Sequence, residues 1–334
     1  MDFQFFIGVD VSKLTLDFAV SDSQSTRFHI QVTNDLKGIR SFVARCKQEK
    51  VSLTNSLVCM EHTGIYNNNA IQFFHQKNVA MCIEHGRQIK QSMGMVRGKN
   101  DKVDALRISQ YTRRYQDKIQ LWEPERDVLV KIKHLTALRK RLINAKNQLK
   151  TPIKESEKWL PKALVKEMNN VNQPAVKTLQ KQIKSVDQKL NAIIASDQQL
   201  NHLFNIVTSV SGVGPVLCYE LLLTTKEFTS IKDPRKYASY AGVAPFDNLS
   251  GTSLKGSKRV SPMANKAVKK ILHMAALSVV SREGEMTEFY RRKVDEGKNK
   301  MAVINAVRNK IIHRVFACVR KNQKYEENYK GQLA

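Results

Sequence analysis

No stretch of this 334-residue sequence stays apolar for long enough to cross a bilayer, which argues against a membrane role. The opening residues, Met1-Asp2-Phe3-Gln4-Phe5-Phe6, lack the basic start, long apolar run and small-residue cleavage site of a secretory signal. The expectation is a soluble, cytoplasmic chain. Cysteine is sparse as well. Cys46, Cys59, Cys82, Cys218 and Cys318 are scattered without any C-x-x-C spacing, so neither a zinc site nor a disulfide framework is indicated, and buried reduced thiols are expected.

Acidic residues are few relative to basic ones. Lys and Arg number 56 against 30 Asp and Glu, a formal net charge of +26. An excess of that size attracts a polyanion through phosphate neutralisation and counterion release, and nucleic acid is the leading partner. The excess is uneven: residues 1–120 carry 17 basic and 11 acidic side chains (net +6), leaving 39 against 19 (net +20) for the rest. Most of the nucleic-acid grip is therefore expected in the second part. The length favours two domains, or one domain with a helical insert.

The first hundred residues alternate strand-like and helix-like patterns. Phe5–Val9 and Leu14–Val20 read as a hairpin pair, Phe28–Val32 as a third strand, Leu36 to Gln48 as a helix and Leu57–Met60 as an apolar strand ending at Glu61. A helix after Gly64, a strand over Val79–Ile83 and a helix beginning near Asp101 follow. Three strands followed by α-β-α-β-α is the order of a ribonuclease-H-like fold. The expected class is thus α/β in the N-terminal part and mainly α beyond it.

In the middle, Leu135, Leu138, Leu142, Ala145 and Leu149 step by alternating threes and fours, as do Val176, Leu179, Ile183, Val186, Leu190 and Ile193. This repeat predicts two helices with coiled-coil seams, forming either an internal hairpin or a dimer contact. Pro152, Pro161 and Pro174 predict a broken connection between them. Trp122 and Trp159 flank the first helical arm and are expected to pack. From Asn201 onward the pattern is mostly helical, interrupted by Ser211-Gly212-Val213-Gly214-Pro215 and by a small, polar, cationic loop over residues 246–259. The glycine turn resembles a helix-hairpin-helix, whose backbone N–H groups can hold a phosphate, although a plain interhelical turn has the same sequence. The polar loop could approach a DNA backbone closely or be an ordinary surface loop.

Four carboxylates stand at positions suited to chemistry. Asp10 ends the first strand, where a charge is unusual as core filling, and Glu61 emerges from the end of another central strand, where α/β sheets place their sites. Asp101 and Asp104 are three apart, which on a helix puts both on one face. Such a cluster repels itself unless cations occupy it, and hard oxygen ligands suit magnesium or manganese. Two such ions can polarise a scissile phosphate. Each acid also has a structural alternative: Asp10 closing a hairpin, Glu61 capping the next helix, Asp101 as an N-cap with Asp104 at N3.

Gly8-Val9-Asp10-Val11-Ser12-Lys13, Glu61-His62-Thr63-Gly64-Ile65-Tyr66 and Asn100-Asp101-Lys102-Val103-Asp104-Ala105 resemble the three acidic motifs of the DEDD transposases of insertion sequences, the IS110 family, which includes Piv-type DNA invertases. Val210-Ser211-Gly212-Val213-Gly214, Tyr240-Ala241-Gly242-Val243-Ala244-Pro245 and Ser250-Gly251 followed by Gly256 are similar to its C-terminal motifs. The resemblance spans nearly the whole chain. It implies a resolvase-like catalytic domain over residues 1–118, a coiled-coil linker over 119–200 and a transposase domain with a serine loop over 201–330. It further implies that Asp10, Glu61, Asp101 and Asp104 bind divalent metal (Mg²⁺ or Mn²⁺), that Ser250 is a nucleophile forming a covalent DNA ester, and that a structured non-coding RNA guides the enzyme. Assembly as a homodimer or homotetramer is implied too, with the serine of one subunit serving the carboxylates of another. The sequence departs from the family at Met263-Ala264-Asn265-Lys266, where glycine-asparagine is common, and at Lys269-Lys270, where arginine is frequent. Lysine keeps the charge and loses the bidentate fork. Two alternatives from other classes are a junction-resolving nuclease that uses water and a non-catalytic nucleic-acid-binding protein.

Overall fold

A computed structural model of the chain describes residues 3–92, 100–250, 254–260 and 263–326, and only the backbone of residues 247–250 and 254–259. The chain divides into two compact units, Met1–Pro124 and Glu125–Ala334. The first is α/β and the second mostly helical, so the chain is a mixed α/β protein. Among the described residues no helix is long and apolar enough to cross a membrane.

Unit 1 is built on one five-stranded sheet. Its strands are β1 (Phe5–Val11), β2 (Thr15–Ser21), β3 (Thr26–Thr33), β4 (Ser56–Glu61) and β5 (Ala80–Glu84), in spatial order β3-β2-β1-β4-β5. The first three pair antiparallel, while β4 lies parallel to both β1 and β5. The tight β1–β2 turn is closed by Ser12, whose hydroxyl accepts from Thr15 N at 2.9 Å. Parallel pairing needs crossovers, and these are helices: α1 (Leu36–Gln48) before β4, and α2 (Asn68–Gln76) between β4 and β5.

Side-chain alternation assigns the two faces of the sheet. Ile7, Val9, Val58, Met60 and Met81 join Phe18, Phe42 and Phe74 in a core on one face. Phe18 stacks on Phe42 with ring centroids 3.8 Å apart. The opposite parity, Gly8, Asp10, Cys59, Glu61, Cys82 and Glu84, faces α4 (Asp101–Arg114), and Cys59 and Cys82 pack there with Ile108 and Tyr111. A short helix the sequence pattern did not announce, α3 (Gly86–Ser92), follows β5 directly.

Unit 2 opens with α5 (Asp127–Ser156) and α6 (Lys162–Ser196), which pack on each other as an antiparallel hairpin within the chain. Arg139 Nε donates to Asp187 Oδ1 across it at 2.5 Å. The expected proline breaks are corrected: Pro152 and Pro174 lie inside continuous helices, and only Pro161 marks the break, as the N-cap residue of α6. In a long packed helix, lateral contacts outweigh the one backbone bond that an internal proline removes. Trp122 packs edge-on against His75 at 5.4 Å as expected. Trp159 does not pack: it stands 85% exposed at the hairpin tip, where its unit offers no surface to cover it.

The remaining elements are α7 (Gln198–Thr208), α8 (Pro215–Thr224), α9 (Pro234–Tyr240), β6 (Pro245–Ser250), β7 (Leu254–Val260), α10 (Lys266–Val280), α11 (Glu285–Asp295) and α12 (Lys300–Lys321). Their core, with Leu217, Leu222, Tyr237, Leu272, Val307 and Ile311 near its centre, also takes in Leu129 and Ile132 of α5. Between α7 and α8, Gly212 has φ +86°, and a Cβ there would meet Val279 Cγ2 at 2.2 Å, so glycine is required twice over in that turn. Of the polar stretch read as a loop over 246–259, residues 246–250 and 254–259 instead belong to a two-stranded antiparallel ribbon, β6 with β7, and 251–253 lie outside the described residues. Ser, Gly and Lys are poor strand formers, and backbone pairing rather than propensity builds it.

Candidate active site

Asp10 is the penultimate residue of β1, and Glu61 and Glu84 end β4 and β5 in mutual register. All three sit at the carboxyl ends of parallel strands on the face that carries α4. Gly8 is what lets that helix come close: a Cβ on it would lie 2.2 Å from both Ala105 O and Ser109 N. Ser109 Oγ donates to Phe6 O at 2.8 Å and fixes the contact. This approach brings the first turn of α4, with Asp101 and Asp104, beside Asp10.

Asp10, Glu61, Asp101 and Asp104 line a single cleft of about 240 Å³, together with Thr63, Gly86, Ile89, Lys90, Arg107 and Ile108. Gly86 makes room for the Glu61 carboxylate, since a Cβ there would lie 1.9 Å from Oε1. Arg107 Nη1 donates to Asp104 Oδ1 at 2.7 Å. Ser250 is the last residue of β6, paired with Leu254; its side chain, and Gly251, Thr252 and Ser253 beside it, lie outside the described residues.

The structural alternatives for these acids are filled by other side chains. Asn100 is the N-cap of α4, accepting from Lys102 N at 3.0 Å, which leaves Asp101 and Asp104 free of that duty. Ser12 closes the hairpin that Asp10 could have closed. Asn67, rather than the Glu61 carboxylate, orders the turn after β4: its Oδ1 accepts from Thr63 N at 2.8 Å and its Nδ2 donates to Glu61 O at 2.9 Å. The capping and turn-closing duties open to the four carboxylates are therefore met by Asn100, Ser12 and Asn67.

Electrostatics mark the same place. The Asp10 carboxyl is pushed up from 3.8 to about 6, first by burial, then by the charges of Asp104, Asp101, Glu61 and Asp17. Two acids that sequence patterns passed over lie on the same face of the sheet, and one of them, Asp17, adds to the Asp10 shift. Asp17 faces Asp10 across the β1–β2 pair, is 3% exposed, and accepts hydrogen bonds from Gln31 Nε2 and the His29 ring at 2.9 Å each. Its place inside an apolar strand was the available signal. Burial raises Glu84 as well, and it engages Tyr111, whose hydroxyl accepts from Gln88 Nε2 at 3.0 Å. Among the described residues, no three acid, His or Cys side chains stand close enough together to form a ready metal cage. The four carboxylates share a cleft, and their mutual repulsion resists closer approach.

Comparison with known proteins gives this geometry a context. Residues 7–156 match a family model described as a transposase, of the DEDD type of IS110, and residues 204–291 match one described as the transposase IS116/IS110/IS902 family. The chain belongs to the IS110 family of transposases. As a member it is a DNA transposase or recombinase, and the DEDD domain points to use of a divalent metal. Over 327 residues this transposase is 26% identical to the pilin gene-inverting protein of Moraxella bovis, covering 96% of this chain and 98% of that one. The corresponding protein of Moraxella lacunata is 25% identical over the same shares. An uncharacterized 43.6 kDa protein of insertion element IS110 from Streptomyces coelicolor is 27% identical over 145 residues, 43% of this chain and 35% of its own.

Proposed function

We propose that this transposase cuts and rejoins DNA strands for insertion-sequence mobility, with Asp10, Glu61, Asp101 and Asp104 as its metal-holding carboxylates and Ser250 as its nucleophile. The observation that carries the reading is the shared cleft of those four acids within the region matched by the DEDD model. The sheet order, three antiparallel strands followed by two parallel ones, supports a ribonuclease-H-like catalytic domain over residues 1–118. The linker over 119–200 and the transposase domain over 201–330 complete the proposed organisation.

The donor chemistry fits a divalent ion. All four groups are hard oxygen donors, Gly86 leaves space for one of them, and the Asp10 carboxyl, raised first by burial and then by the neighbouring acids, would be eased by a cation. Mg²⁺ or Mn²⁺ would supply Lewis-acid polarisation of the phosphate. Asp10 and Glu61, on strand ends, give the site rigid walls, while Arg107 holds Asp104 in place. In the reaction the Ser250 oxygen attacks phosphorus, its proton passing to solvent. The P–O bond to one deoxyribose breaks, that oxygen taking up a proton, and a serine phosphodiester keeps the energy needed for rejoining. A second DNA hydroxyl then reverses the step on a new strand. Serine and carboxylates work across subunits of a dimer or tetramer in this reading. A structured RNA selects the DNA, and the +26 charge suits both polyanions.

The test uses end-labelled DNA carrying the element's ends, incubated with Mg²⁺ or Mn²⁺ and any co-purifying RNA, then run on denaturing gels. Wild type should leave a protease-sensitive DNA–protein adduct. Ser250→Ala should abolish the adduct, and Asp10→Asn or Glu61→Gln should abolish cleavage. Normal cleavage by Ser250→Ala without an adduct would point to a water-using nuclease; unchanged DNA transactions in the acid variants would refute the catalytic cleft.

A further inference from the structure

Arg308 of α12 is 6% exposed, and its Nε is buried without a hydrogen-bond partner. Its other nitrogens reach only neutral groups: Nη2 donates to His273 Nδ1 at 2.5 Å and Nη1 to Asn305 Oδ1 at 3.5 Å. Among the described residues no carboxylate pairs with it. Burial and the Arg308 charge both hold Lys269 and His273, on α10, below their usual proton affinity. Three basic groups are thus gathered with no acid paired to Arg308 among the described residues, an arrangement that costs folding free energy unless an anion joins it.

The cluster has a definite place. Asn305 Nδ2 donates to Val243 O at 2.8 Å, two residues before β6 begins. Lys269 Cδ lies 3.7 Å from where a Cβ on Gly242 would be. Lys269 and His273 are partly exposed, with Arg308 behind them. Because His273 Nδ1 accepts from Arg308, the ring is neutral and its Nε2–H is left as a donor.

We infer that Lys269, His273 and Arg308 form a phosphodiester-binding site at the root of the β6–β7 ribbon. Lys269 Nζ and His273 Nε2 contact the phosphate oxygens, while Arg308 fixes the histidine tautomer and supplies charge from behind. This rests on nucleic acid as the partner but not on the carboxylate chemistry, and a metal-free binding assay keeps the two separable.

Fluorescence anisotropy of the full chain in EDTA, with a labelled 20-mer DNA duplex and a single-stranded RNA 20-mer as probes, tests it. Lys269→Gln should weaken binding and lower the log–log salt slope by about one phosphate contact, and do so more than the exposed-face control Lys181→Gln. Arg308→Met should weaken binding roughly tenfold or more, with a melting temperature equal to or above wild type, because it removes an uncompensated charge. The probe that loses affinity identifies the strand. Inorganic phosphate should raise the wild-type melting temperature at constant ionic strength, and raise that of Lys269→Gln less. If Lys269→Gln matches the control on both probes, or Arg308→Met melts lower while binding is kept, the site is refuted; should Arg308→Met fail to fold, Lys269→Gln decides.

Discussion

Replacing Asp10 by asparagine should stabilise metal-free unit 1 while disabling the enzyme. The carboxyl moves from 3.8 to about 6, and each pKa unit is worth about 1.4 kcal/mol, so the full strain at neutral pH is about 3 kcal/mol. Asp10 is half-buried, and solvent screening reduces that to about 1.5 kcal/mol. For a unit of this size the gain corresponds to roughly 5 °C in melting temperature. The chain has two tryptophans, so in a Trp159→Phe background the emission of Trp122 reports unit 1 alone. The sign follows from linkage: the folded state holds the Asp10 proton more tightly than the unfolded chain. The stabilising contribution of Asp10 is therefore complete below pH 3.8 and lost as pH rises through about 6. The advantage of Asp10→Asn should be largest above pH 7 and fade towards pH 4. Mg²⁺ should raise the melting temperature of the Asp10 protein more than that of the variant. If the variant melts no higher than its parent at pH 7.5 in EDTA, or the difference fails to shrink on acidification, the charge-strain argument is wrong.

Three further outcomes follow from the packing. Gly8→Ala drives a Cβ into the backbone of α4 and should cost about 3 kcal/mol, visible as a lower urea midpoint, with loss of strand cleavage because Asp101 and Asp104 move. Asn100→Ala removes the α4 cap and should cost about 1 kcal/mol by the same titration. Arg126 pairs with both Asp197 and the nearly buried Glu227, so Arg126→Ala should cost about 3 kcal/mol, and Arg126→Ala combined with Glu227→Gln should recover part of it; equal stability of the single and double variants would contradict the pairing.

The strands of unit 1 were legible because buried strands leave apolar runs with fixed parity, and Phe5–Val9, Leu57–Met60 and Val79–Ile83 carry those runs. Asp10 and Glu61 stood out because a charge ending such a run has no packing reason to be there. Asp17 and Glu84 escaped notice although they lie on the same face, since their burial depends on which strands become neighbours. The prolines misled because a local rule was applied to helices held by lateral contacts. The β6–β7 ribbon was hidden because its pairing is made by main chain, which sequence does not vary. Arg308 was one basic residue among many, and its burial with an unpartnered Nε, which only the fold reveals, sets it apart. Trp159 was read as packed because aromatic residues usually are, whereas its position at a hairpin tip leaves it in solvent.

At Gly8 a helix backbone occupies the volume a side chain would need. The gauge between strand and helix is therefore set by peptide groups, whose dimensions do not change from one residue type to another. The outer face of α4 can be rewritten freely, for solubility or for a new partner, and the acids at its start will keep their spacing as long as position 8 stays bare.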